Sequence, residues 1–130
     1  MPETPFTAPA VVVGIDGSRA GIRAALWAVD EAVSRDIPLR LVAVSESTAD
    51  DAHAAVQAAT AAVDAAGTPV RIEVEVLTGS PTLALLEASR TAAMICLGAV
   101  GLRHFAHHRI GSTASALVAS AHRPIAVIRG

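Results

Sequence analysis

Five short apolar runs alternate with four helix-periodic segments, and that alternation restricts the fold more than any other property of the sequence. Ala10 to Ile15 is a continuous apolar run that gives way to Asp16-Gly17, as expected of a buried strand and its exit turn. From Ser18 to about Arg35, Ile22, Ala25, Leu26, Val29 and Val33 recur at helical spacing, with Arg19, Arg23, Asp30 and Glu31 on the other face. Ser18 suits the N-cap of that helix, and Trp27 beside the stripe reads as packing. Pro38 introduces a second strand over Leu39 to Val44. An alanine-rich helix from about Thr48 to Ala66 follows, with Ala52, Val56, Ala59, Val63 and Ala66 on one face and Gly67 at its end.

Val70 to Leu77 sets Arg71, Glu73 and Glu75 against Ile72, Val74 and Val76, the alternation of a half-exposed strand. Pro81 opens a short helix ending near Arg90, and Ala92 to Leu97 is a fourth strand. A loop from Gly98 to Gly111, a last helix from Ser112 to His122 and a fifth strand over Ile125 to Ile128 complete the chain. Strands joined through helices predict right-handed crossovers and an open, five-stranded parallel α/β sheet of Rossmann-like type, with helices on both faces. Strands one, two and four read as apolar throughout and central. Strand three, which alternates, is an edge, and strand five is the other edge. An apolar edge strand invites pairing with a second copy, so a homodimer through strand five is expected.

At 130 residues the chain fits one domain. The division expected is a tail from Met1 to Pro9 without a packed structure, carrying three prolines, followed by one domain over residues 10–130. Aromatics make up only 2% of the residues, which removes the stacking platforms of single-strand nucleic-acid binders. A net charge of −2 lacks the basic footprint that nucleic acid or an anionic membrane requires. All ten basic residues are arginine, so P-loop lysine and Schiff-base chemistry are excluded. Cys96, the single cysteine, lies inside an apolar run and reads as a buried, inert thiol. No apolar run reaches transmembrane length and no signal-peptide core opens the chain, so the expected location is the cytoplasm.

In an open parallel sheet, ligands bind beyond the carboxyl ends of the strands, where the strand order reverses. Two such ends carry unusual residues: Gly14-Ile15-Asp16-Gly17-Ser18 after strand one, and Gly98-Ala99-Val100-Gly101 with Gly111-Ser112-Thr113 after strand four. Glycines admit close approach of backbone amides, and Gly111, Ser112 and Thr113 open a helix whose N-terminus attracts anions. The segment between them contains Arg103 and no acidic residue, which suits a polyphosphate. Each residue also has a structural reading. Asp16 is equally a helix-start residue facing turn amides, and Ser18, Ser112 and Thr113 are equally N-caps. His104, His107 and His108 lack the Cys or carboxylate partners of a transition-metal site and read as solvated or phosphate-facing. His53 and His122 read as surface residues.

The spacing Gly98-x2-Gly101-x9-Gly111-Ser112, the opening Val-Gly-Ile-Asp-Gly-Ser and the closing Ala-x-x-Pro-Ile-Ala-Val-Ile-Arg resemble the universal stress protein family, from Val11 to Arg129. The resemblance implies strand order 3-2-1-4-5, dimerisation through strand five, and ATP bound with Mg²⁺ or Mn²⁺. It further implies that Asp16 lies in the nucleotide pocket, that Val44 offers backbone contacts to adenine, and that the glycine motif with Ser112 wraps the phosphates. The segment from Ser45 to Pro69 is shorter than in many relatives. Two readings accompany that of a nucleotide-dependent stress-response module: a slow ATPase, and a dimeric scaffold that has lost nucleotide binding. A phosphoacceptor domain is excluded, because Asp16 stands alone and no lysine is present.

Overall fold

The computed structural model describes residues 9–98 and 123–128. Strands β1 (Ala10–Ile15), β2 (Leu39–Ser45), β3 (Ile72–Thr78), β4 (Ala92–Gly98) and β5 (Ile125–Ile128) form one parallel sheet in the order β3-β2-β1-β4-β5. Helices α1 (Arg19–Arg35), α2 (Ala49–Ala66) and α3 (Pro81–Ala88), the last followed by a 3-10 turn over Ser89–Thr91, provide the crossovers. The expected strand order and both expected edges are therefore present. The last helix expected over 112–122 and the tail over 1–8 lie outside the described residues.

Two apolar layers cover the sheet. On one face α1 and α2 press Ala24, Ala28, Val29, Val56 and Val63 onto Val11, Val13, Leu39, Leu41 and Cys96. On the other, Leu85 of α3 packs with Val12, Val42, Ile95 and Leu97. Each fully buried aliphatic side chain of this kind stabilises the fold by about 1.5–3 kcal/mol relative to exposure. Local chemistry fixes the helix ends. Ser18, Thr48 and Ser80 each accept a first-turn amide as N-caps, Pro81 opens α3, and Gly67 closes α2 at φ 83°. Asp36, also left-handed at φ 57°, closes α1 with its amide on the Ala32 and Val33 carbonyls.

Two expectations need correction. Of the expected stripe on α1, Ala25 and Val29 are buried and Ile22 is half-buried against the core, but the rest of the buried side is a row of small residues, Ala20, Gly21, Ala24, Ala28 and Ala32. Leu26, Trp27 and Val33 are exposed. Small side chains let the helix axis approach the sheet closely, and that closeness rotates the larger ones outward. Nor is β2 apolar throughout. Arg40 is buried in it, 1% exposed, with Nε 2.9 Å from Glu73 Oε1 on β3 and Nη1 3.1 Å from Thr91 Oγ1. The register places Arg40 directly opposite Glu73, so the polar alternation of the edge strand supplies the counter-charge.

Candidate functional site

The strand order reverses between β1 and β4: from β1 the chain steps outward through β2 to β3, then returns to the far side of β1. With Val13 opposite Cys96 and Ile15 opposite Ala43, Gly98 and Val44 flank the carboxyl end of β1. Beyond that end lies the turn Asp16-Gly17-Ser18, with Gly17 at φ 85°. A β-carbon on Gly17 would stand 3.8 Å from Ala55 Cβ, so the turn rests against α2.

Asp16 organises this turn. Its Oδ1 accepts from the Ser18 amide at 2.9 Å and from Ser18 Oγ at 2.5 Å. Ser18 Oγ in turn accepts from the Gly21 amide at 3.0 Å. The relay Asp16–Ser18–Gly21 orients the first turn of α1, whose N-terminal amides have no intrahelical acceptor. The structural readings of Asp16 and Ser18 thus hold: one is the turn acceptor, the other the cap. Asp16 is exposed and Ser18 half-buried at the sheet's carboxyl edge.

Gly98 meets the same turn from the other side. A β-carbon there would lie 2.4 Å from the Ala20 carbonyl carbon and 2.6 Å from the Gly21 nitrogen. Backbone-to-backbone packing of β4 on the start of α1 therefore requires glycine at this position. Gly21 and Gly14 are less constrained: a β-carbon on Gly21 would stand 3.1 Å from Asp16 Oδ1, and one on Gly14 2.8 and 3.0 Å from the ends of the Leu97 and Leu85 side chains, which can give way. Gly14 belongs to the stretch that the sequence marks after strand one, whereas Gly21 is absent from it; a glycine inside a helix's first turn was the available signal.

At the exit of β2, Ser45 Oγ accepts from the amides of Ser47 and Thr48, and the Ser45 carbonyl accepts from the Gly79 amide at 3.0 Å. Val44, half-buried, lies just ahead of this turn. The structure thus brings Asp16, Gly17, Ser18, Val44 and Gly98 to one edge of the sheet. Gly101, Arg103, Gly111, Ser112 and Thr113 lie outside the described residues, as do His104, His107, His108 and His122. No group of three metal-ligating side chains occurs among the described residues. Cys96, fully buried beneath α1, has its thiol pushed up to about 12, first by burial and then by the nearby Glu31 charge. It stays protonated and inert, as its apolar run predicts. No helix among the described residues is long and apolar enough to cross a membrane.

The universal stress protein family model matches residues 9–58 and 46–129. A universal stress protein of Mycobacterium tuberculosis is 54% identical over 134 residues, covering 95% of this chain and 50% of its own length. A second one from the same organism is 48% identical, covering 93% and 48%. The chain therefore spans about half the length of the curated relatives it matches. Among solved structures, a universal stress protein in complex with cAMP superposes with a TM-score of 0.78 at 26% identity, covering 95% of this chain and 98% of that one. The universal stress protein of Archaeoglobus fulgidus in complex with dAMP shares the fold, with a TM-score of 0.69 at 21% identity and coverage of 95% and 98%.

Proposed function

Because the chain belongs to the universal stress protein family, we propose that it binds an adenine nucleotide, ATP in the first place, in the crevice beyond the carboxyl ends of β1 and β4. The observation that carries this reading is the meeting of the Asp16-Gly17-Ser18 turn and Gly98 at the topological switch point. Two close-packed backbones and the start of a 17-residue helix meet there. Helix N-terminal amides and glycine turns are the chemistry that holds phosphates, and the relative seen with cAMP supports an adenine ligand.

In this reading Asp16 holds the turn in shape and presents a carboxylate near ribose and phosphates. Gly17 gives the turn its left-handed bend, Gly98 lets β4 close against the start of α1, Ser18 fixes the first amides of α1, and Val44 offers its backbone to the base. Gly101, Gly111, Ser112 and Thr113 complete the phosphate cradle, and Arg103 adds a cation. A divalent cation, Mg²⁺ or Mn²⁺, arrives with the triphosphate, since phosphate oxygens with one or two carboxylates satisfy such an ion. Asp16 would be the nearby carboxylate for such an ion. Nucleotide occupancy would then act as a regulatory signal in a stress response, read out through the domain and a dimer paired at β5.

The test is titration calorimetry of ATP, ADP, AMP and cAMP, each with and without Mg²⁺, on the full chain and on Gly111→Ala and Asp16→Ala. Loss of at least tenfold in affinity, about 1.4 kcal/mol, in both folded variants is expected. Wild-type affinity in both would refute the pocket. Phosphate release above background in the same samples would instead favour the slow-ATPase reading.

A further inference from the structure

The outer face of α1 carries larger apolar side chains than its inner face. Leu26, Trp27 and Val33 are 37%, 40% and 47% exposed, while alanines line the side against the sheet. Arg19, Arg23, Leu26, Asp30 and Val33 step by four, three, four and three residues, the spacing of a two-helix seam. The charges divide along that seam. Arg19 and Arg23 precede the Leu26-Trp27 pair and Asp30 follows it.

This order is the reverse of what the helix dipole favours, which is acid at the N-terminus and base at the C-terminus. Glu31 is neutralised by Arg35 at 3.3 Å, but no ion pair among the described residues engages Arg23 or Asp30. The two stand at equal distances along the helix from the midpoint between Leu26 and Trp27. Two copies of α1 packed antiparallel about a twofold axis at that midpoint would set Arg23 against the second copy's Asp30, twice. Leu26 would meet the second copy's Trp27, also twice. Parallel packing would oppose like charges at both positions.

We propose that the outer face of α1 is a self-association surface, occupied by a second copy of this chain lying antiparallel across it. The surface is isologous, and its central aromatic flanked by reciprocal ion pairs has the usual anatomy of a small interface. It is the outside of a helix and not the free edge of β5, so mutation separates the two modes of association. Nucleotide binding is not required for it.

Trp27 is the only tryptophan, so its emission reports this surface alone. The experiment compares wild type with Arg23→Asp and Asp30→Arg, both at exposed positions, by sedimentation velocity and by tryptophan emission over a dilution series. Circular dichroism verifies that each variant is folded. Wild type should associate with a blue shift of Trp27 as concentration rises. Each variant alone should lose at least tenfold in association, because like charges then face each other across the axis. Their equimolar mixture should recover it, because every facing pair is then opposite in sign. Variants that associate as wild type does, or a mixture that stays dissociated, would overturn the proposal. Dimerisation with Trp27 emission independent of concentration would also overturn it, placing the contact at β5 and leaving the nucleotide reading intact.

Discussion

Asp16 shows how a residue with a structural role can also serve the proposed nucleotide site. Its Oδ1 bonds to Ser18 shape the turn, and that same shape is what a phosphate-binding turn needs. Capping and ligand binding draw on the same amides, so the two readings of Asp16 and Ser18 never competed. Gly98 is the sharper case. Its contact with Ala20 is backbone on backbone, so a side chain cannot swing aside. Gly98→Ala should destabilise the domain by about 2 kcal/mol, in the range of overpacking costs. Urea unfolding followed by circular dichroism measures this. A stability equal to wild type would mean that α1 shifts freely away from β4.

Among the elements, β2 and β3 are held by more than their ladder. Arg40 is buried inside a central strand, and its ion pair with Glu73 crosses to an edge strand whose glutamate remains 28% exposed. Breaking a buried pair from one side leaves a desolvated charge behind, whereas replacing it with apolar groups is often neutral. Glu73→Gln should therefore cost about 2 kcal/mol, reduced from the fully buried case because water reaches Glu73. Arg40→Met in that background should recover most of the loss. Chemical denaturation of the single and double variants gives the comparison, and a double variant no more stable than Glu73→Gln would disprove this account. Helix α1 teaches the complementary lesson. Its periodicity marks it as amphipathic, but both faces contain apolar residues, and the small ones face inward.

For the whole molecule, the edge position of β5 governs the dimer expected through it. The Ile95 amide donates to the Pro124 carbonyl at 2.9 Å, and Ile95 pairs with Ile125. In a parallel ladder alternate residues point their amides to the same neighbour, so the Ala126 amide faces β4 and that of Val127 faces outward. Val127→Pro should then remove an outward donor and spare the sheet, since edge positions tolerate proline. Sedimentation should show a dimer at β5 weakened at least tenfold, with the far-ultraviolet circular dichroism of the domain retained. An unchanged association constant would place the dimer contact elsewhere.

Much of this protein was determined by its sequence alone. The order of strands and helices, the caps at Ser18 and Gly67, the edge character of β3, the inert Cys96 and the family were all legible. Each rests on local periodicity, turn chemistry or motif spacing, which neighbouring residues carry among themselves. The tertiary structure alone decided that Arg40 is buried, because its counter-charge lies a strand away. It likewise decided that alanines and not Leu26 or Val33 face the sheet, because helix rotation depends on how closely two layers approach. Gly98 needed both. Its place in the glycine motif is readable from the chain, but the helix backbone that forbids any side chain there arrives only when β4 is laid beside β1.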